Sequence, residues 1–159
     1  MTPHPAFAAL LALPVLADPA VAVNPFFMEW KTPFGVPPFA EIREEHFLPA
    51  FREGIVQHDR EVAAIAGSAE TPTFANTIEA LDASGQFLER VGSVFYNLTG
   101  AETNPKLQAL NREVAPLMAA HRDDVQLNER LWQRVKAVWE ARDGLKLDRE
   151  QARLLERTT

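Results

Sequence analysis

The chain has 159 residues, a formal net charge of −6 and no cysteine. Hydrophobic residues make up 47% of it, which is typical of a folded domain with a core and far from the composition of disordered proteins. The acidic balance argues against a sequence-independent nucleic-acid binder, which needs a basic surface. The lack of cysteine excludes disulfides, thiol nucleophiles and cysteine-based zinc sites.

Residues 1–23 form a leader that differs from the rest of the chain. An apolar run at 7–16 precedes Ala-Val-Ala at 20–22, which matches a signal-peptide cleavage site. No Lys or Arg precedes Lys31, so the basic start of a signal peptide is missing, and a disordered leader stays an open alternative. We expect a periplasmic protein, the preferred interpretation, if residues 1–22 are a signal peptide, and a cytoplasmic one otherwise. The run is too short to span a bilayer, and we expect no membrane partner.

Residues 24–40 predict an extended arm. Four prolines block helix formation there and favour extended backbone. The arm is too apolar for a solvated linker because of five aromatic residues, Phe26, Phe27, Trp30, Phe34 and Phe39. We therefore expect the arm to pack its aromatic side chains against the helices that follow.

Residues 41–159 predict an all-α domain, an antiparallel array of about five helices without strands. The predicted helices cover residues 46–66 and 74–100, begin at Pro105 and reach at least Val125, and cover 128–144 and 148–159. Thr73, Asn104 and Asp148 are the predicted N-caps, and the fourth helix is predicted to start at Asn128. Gly85 interrupts the apolar stripe of the second helix, so we expect a close neighbouring backbone or a bend there. The last helix carries Leu154 and Leu155, which need apolar partners and favour a truncated chain over a finished domain.

Several segments in a fixed order carry a family resemblance. They are Asn-Pro-Phe-Phe at 24–27, Thr-Pro-Phe-Gly-Val-Pro-Pro-Phe at 32–39, Glu-His-Phe-Leu-Pro-Ala-Phe at 45–51, Thr-Phe-Ala-Asn-Thr-Ile-Glu-Ala-Leu at 73–81 and Val-Phe-Tyr-Asn-Leu at 94–98. Residues 24–159 resemble the N-terminal region of the zinc metallopeptidases of the thimet-oligopeptidase and peptidyl-dipeptidase family. One departure is Ala75, where the family usually has Glu.

The resemblance implies a larger, mostly helical, two-lobed enzyme with a deep channel. Zinc would be held by two His of an H-E-x-x-H helix and a downstream Glu, and the Glu of the motif would activate the zinc-bound water. Such a peptidyl-dipeptidase releases C-terminal dipeptides from short unstructured peptides. In the family this constellation lies beyond Thr159. We therefore expect an inactive, channel-forming part whose partner is the missing C-terminal catalytic part.

The residues themselves predict no catalytic, cofactor-binding or metal site. The four histidines are His4, His46, His58 and His121. None belongs to H-E-x-x-H, and zinc needs three or four converging ligands. His46 is expected at a helix start. His58 with Glu61 and His121 with Asp124 are spaced i, i+3, which is more typical of solvated pairs than of ligands. His121 lies on an apolar stripe, so we expect it to be partly buried and hydrogen-bonded.

Nucleophilic catalysis and glycosylation are also poorly supported. Ser68, Ser84 and Ser93 lack the strand–turn–helix context of a nucleophilic serine, and we attribute the Asn-Leu-Thr acceptor at 97–99 to chance. Trp132 and Trp139 are seven apart and share a helix face, which suits a peptide-binding wall, the core or a contact to the missing part; packing is preferred. The alternative function is a stand-alone helical module that binds a peptide or protein through the arm and this face.

Overall fold

The computed structural model describes residues 24–101 and 104–159. The leader, with its cleavage-site sequence and His4, lies outside these ranges. Five helices make up most of the described chain: α1 (Glu44–Gly67), α2 (Gln86–Ala101), α3 (Pro105–Gln126), α4 (Glu129–Ala141) and α5 (Arg149–Thr158). These two ranges contain no strand, which confirms the predicted all-α class.

Helix α1 is the central element and packs against α2, α3 and α4. Along α1, Phe51 contacts Phe95 with ring centroids 5.4 Å apart. One turn later, Gly54 lies against Leu88. Later residues of α1 therefore contact earlier residues of α2, so these two helices are antiparallel, as predicted.

Four predicted helix starts are confirmed by N-cap hydrogen bonds, in which a side-chain oxygen accepts a free backbone N–H of the first turn. The caps are Thr73 to Asn76 (3.1 Å), Asn104 to Leu107 (2.9 Å), Asn128 to Leu131 (3.0 Å) and Asp148 to Gln151 (2.9 Å). At the start of α1, Nδ1 of His46 accepts the N–H of Arg43 at 3.0 Å. His46 is therefore a helix-start residue, as expected.

The predicted second helix is wrong as a single element. A π-helical turn, Phe74–Glu79, continues as Ala80–Asp82 and forms what we call the π segment. The chain then turns at residues 83–85 before α2 begins. Gly85 has φ +71°, and a Cβ there would lie 3.1 Å from the ring of His58. The group that approaches Gly85 is thus an imidazole rather than the expected backbone. The predicted helix breaks at this point rather than bending.

The aromatic arm is anchored at its beginning. Phe26 is fully buried, and its ring centroid lies 5.2 Å from that of Phe47. Phe27 stacks on Phe87 at 5.8 Å. Nη2 of Arg90 donates to the carbonyl of Phe26 at 3.0 Å. These contacts confirm that the arm packs against the helices.

Other parts of the prediction for the arm are wrong. Phe34 is fully exposed and Phe39 is 49% exposed. The backbone is not extended throughout, because Pro25–Phe27 and Pro33–Gly35 form 3₁₀ turns. Each turn starts with proline, whose fixed φ suits the first residue of a helical turn.

Buried side chains form two hydrophobic clusters. The first joins the arm to the N-terminal half of α1, α2 and α3. The second joins the C-terminal half of α1, the π segment, α4 and α5. Leu155 is 1% exposed in this second cluster, and Leu154 packs against it. Both leucines therefore find apolar partners within the described chain.

None of the helices in the described ranges combines the length and the apolar composition that a membrane crossing requires.

Candidate functional site

An open cavity of about 570 Å³ lies between α2 and α3, beside α1. Its wall is mainly apolar, with Leu88, Gly92 and Tyr96 from α2 and Met118 and Val125 from α3. Two histidines and a serine, His58, Ser84 and His121, line the same cavity. We call this cavity the α2–α3 groove.

The structure brings His58 of α1 and His121 of α3 into direct contact. Nδ1 of His58 lies 2.9 Å from Nε2 of His121, and the ring planes meet at 63°. His121 is 6% exposed. The prediction of a partly buried, hydrogen-bonded His121 is confirmed, although its partner, His58, was not predicted.

Sequence reasoning missed this pair because 63 positions separate the two residues. A signal was present nonetheless. His58 falls three residues after Ile55 and four before Val62, on the apolar stripe of α1. His121 falls four residues before Val125 on the stripe of α3. One histidine on the buried face of each helix is compatible with a contact, although the pattern does not show which faces meet.

Ser84 continues the hydrogen-bonded chain on the other side of His58. Its Oγ lies 3.0 Å from Nε2 of His58 and donates to the carbonyl of Leu81 at 2.6 Å. Because the hydroxyl hydrogen is directed to that carbonyl, Nε2–H of His58 is the donor to Oγ. This is the reverse of an activated serine, whose hydroxyl donates to the histidine base.

The carboxylates near the pair differ from those predicted. Oδ1 of Asp59 lies 3.0 Å from Nδ1 of His121, but that nitrogen makes no aligned hydrogen bond, so the contact is one of charge and proximity. Glu61 accepts the N–H of Gly85 at 2.6 Å. Asp124 is exposed to solvent. The expected solvated i, i+3 pairing is therefore wrong for His121, which faces Asp59.

Burial lowers the pKa of His58 from its ordinary value of 6.5, and the nearby His121 lowers it further. Glu61 and Asp59 act in the opposite direction but do not outweigh the first two causes. His58 therefore favours its neutral form, in which one ring nitrogen donates a hydrogen bond and the other accepts one.

Within the described ranges, no group of three or more His, Asp or Glu side chains is arranged to hold a metal ion. A nitrogen of each imidazole points at a nitrogen of the other, and the two share one hydrogen. These nitrogens therefore do not present two free lone pairs to a cation. The residues described do not fit a zinc site.

The other residues singled out from the sequence serve local structure. Oγ of Ser68 accepts the N–H of Glu70 at 3.3 Å, and Ser93 accepts a hydrogen bond from Nδ2 of Asn97 at 2.7 Å through its carbonyl. Asn97 lies inside α2, not at a loop. Ser93 also lines the α2–α3 groove.

The two tryptophans of α4 have different surroundings. Trp139 packs against the second cluster, with the guanidinium of Arg142 4.3 Å from its ring centroid. Trp132 is 45% exposed. The preference for packing is thus confirmed for Trp139, and Trp132 leaves much of its ring in solvent.

Known proteins resemble most of this chain. It is 44% identical to dipeptidyl carboxypeptidase of Escherichia coli (strain K12) over 134 residues, which are 84% of the chain and 20% of that protein. It is 40% identical to the dipeptidyl carboxypeptidase of Salmonella typhimurium over 136 residues, 86% of the chain and 20% of that protein. Most of the chain is therefore homologous to one part of the dipeptidyl carboxypeptidases. Oligopeptidase A of Escherichia coli is 27% identical over 113 residues, 71% of the chain and 16% of that protein.

These relatives confirm the resemblance drawn from the ordered segments. No protein-family model matches the chain. The chain spans about a fifth of the length of the two dipeptidyl carboxypeptidases. The short segments that carried the resemblance do not include His58 or His121.

Proposed function

We propose that this chain is the N-terminal, channel-forming part of a zinc-dependent oligopeptidase that releases C-terminal dipeptides from short peptides. The observation that carries the proposal is the 44% identity to a dipeptidyl carboxypeptidase along 84% of the chain. The lower identity of 27% to oligopeptidase A favours the dipeptidyl carboxypeptidase type of activity.

The contribution of this chain in that proposal is structural. Its described residues hold an anchored arm and two packed clusters, and they do not supply three converging zinc ligands. Zinc and the residues that use it would lie in the rest of a longer protein, as the family resemblance implies. The helices described here would form part of the wall that admits short, unfolded peptides.

The proposal is tested with the complete reading frame that contains this segment. The purified protein is incubated with an N-blocked tetrapeptide that has a free C-terminal carboxylate, and the products are identified by mass spectrometry. We expect release of the C-terminal dipeptide, loss of activity with a chelator and recovery with Zn²⁺. The matched substrate has an amidated C-terminus and should be cleaved far more slowly, because a dipeptidyl carboxypeptidase must recognise the terminal carboxylate.

Two results would contradict the proposal. Cleavage at internal bonds without preference for the free C-terminus would favour an endopeptidase. A complete protein that lacks H-E-x-x-H and hydrolyses neither substrate would leave the binding-module alternative. The 159-residue chain alone should show no turnover with added zinc, and zinc-dependent turnover that His121→Gln abolishes would refute the absence of a site.

A further inference from the structure

The contact between His58 and His121 has room for one hydrogen only. At 2.9 Å, one nitrogen must donate and the other must accept. This holds for either direction of the bond. If both facing nitrogens carried a hydrogen, two N–H groups would point at each other, and the contact would have to open. The two rings together can therefore hold at most one positive charge while they touch.

We propose that His58 and His121 form an acid-sensitive latch, which holds α1 against α3 through one shared hydrogen and opens when both imidazoles are protonated. The latch lies where the two helices meet the turn at residues 83–85. Its opening would separate Nδ1 of His58 from Nε2 of His121 and change the wall of the α2–α3 groove, which both rings line.

The turn at residues 83–85 is part of the same device. Oγ of Ser84 accepts a hydrogen bond from Nε2–H of His58. Nδ1 of the same ring is then left to accept a hydrogen bond from Nε2–H of His121. A Cβ at Gly85 would lie 3.1 Å from the same ring. Rotation of the His58 ring would therefore disturb the turn as well as the contact to α3.

Charged groups on each adjoining element determine how many protons the latch tolerates. On α1, Oδ1 of Asp59 lies 3.0 Å from Nδ1 of His121, and the Asp59 side chain is 53% exposed. Glu61, also on α1, is committed to the backbone of the adjacent turn. Glu89 of α2 and Arg122 of α3 line the groove, are exposed and carry opposite charges, so solvent screens them. None of these groups is a buried anion placed to stabilise a second positive charge on the pair.

The sign of the pH dependence follows from the lowered pKa of His58. Between the unfolded pKa of about 6.5 and the lower folded pKa, the unfolded chain binds more protons than the folded one. The stability contributed by the neutral ring is complete above pH 6.5 and is lost as the pH falls through the folded pKa. For one proton, the folding equilibrium constant decreases by up to about tenfold per pH unit in this range.

Imidazole ¹⁵N NMR on the full 159-residue chain tests the latch directly, because the sequence has only four histidines. We expect His58 to show a single tautomer at neutral pH. It should take up its second proton at lower pH than in the urea-unfolded chain, with simultaneous shifts in the His121 ring. Titration of His58 at the same pH as in the unfolded chain, with His121 unaffected, would overturn the proposal. This measurement needs no variant.

Urea unfolding between pH 5 and pH 8 gives the second readout. His58→Gln removes the titrating ring. The free energy of unfolding should then depend less steeply on pH on the acid side, with a slope that is smaller by most of one proton. Val62→Ala, a buried position on the same helix, should lower stability equally at every pH. An unchanged pH dependence in His58→Gln would refute the latch. If that variant does not fold, Ser84→Ala keeps both rings and should alter the tautomer signals of His58, and unaltered signals would also count against the proposal.

Discussion

Arg134 of α4 is a buried cation whose replacement should destabilise the fold strongly. It is 6% exposed. Its Nη1 donates to the carbonyls of Ser68 at 3.0 Å and Glu70 at 2.9 Å, and its Nη2 donates to Oδ1 of Asn76 at 3.0 Å. The guanidinium therefore ties the loop after α1 and the start of the π segment to α4. We predict that Arg134→Met disconnects these three elements.

The magnitude follows from the three hydrogen bonds. Each bond to a charged donor contributes about 1.5–3 kcal/mol. The desolvation of the charge offsets part of that sum, and water replaces part of it at the loop carbonyls. Methionine keeps most of the apolar stem in contact with the second cluster. We therefore expect a net loss of about 2–4 kcal/mol for Arg134→Met. Arg134→Lys should lose about 1–2 kcal/mol, because one ammonium does not reproduce the planar fork.

Urea unfolding at pH 7, followed by far-UV circular dichroism, measures the loss as a shift of the midpoint at constant m-value. The matched control is Arg130→Met, an exposed arginine on the same helix, which should change stability by less than about 0.5 kcal/mol. If Arg134→Met were as stable as the control, the three hydrogen bonds would not hold the loop, and the reasoning would be wrong.

Glycine substitutions test the close contacts of α1. Gly54→Ala should destabilise by about 1–3 kcal/mol in urea unfolding, since its Cβ would lie 3.1 Å from the Cα of Leu88, whereas Gly67→Ala, with no atom within 4 Å, should be neutral or slightly stabilising. Equal effects of the two would contradict the tight α1–α2 contact. Gly85→Ala should lower the free energy of unfolding by about 1–3 kcal/mol, because φ +71° is strained for alanine and its methyl group would crowd His58. We expect the NMR signals of the His58 ring to change as well. Unchanged ring signals together with unchanged stability would refute this prediction.

The helix starts could be predicted because a cap is a local signal. Asn104 before Pro105, and Asp148 three residues before Gln151, each place an acceptor beside a free N–H regardless of the tertiary structure. The structure has the caps where the sequence put them. The same holds for the all-α class, because the spacing of apolar residues within each helix also depends only on neighbouring positions.

Features that arise between helices could not be predicted in this way. Gly85 indicated an irregularity, but the group that approaches it is the ring of His58, which belongs to a different helix. The burial of Arg134 in α4 was not predicted, because its partners lie in the loop after α1 and in the π segment. The candidate site failed for the same reason: the contact of His58 with His121 depends on which faces of α1 and α3 meet.

The arm shows a further limit. Its aromatic composition correctly predicted packing, but composition does not distinguish Phe26, which is fully buried, from Phe34, which is fully exposed. Phe34 adopts φ 59°, a left-handed conformation that is uncommon for a bulky side chain. Nothing in the described contacts explains why a phenylalanine occupies this position.

Among the buried residues of the described chain, α1 alone contributes to both hydrophobic clusters. The two halves are therefore joined mainly along one helix of 24 residues, and Val125 of α3 adds a contact to the second cluster. We expect hydrogen exchange to show two partly independent opening reactions, with the middle turns of α1 following the half that opens more readily. The histidine pair lies at that junction, so protonation there acts on the mechanical link between the halves.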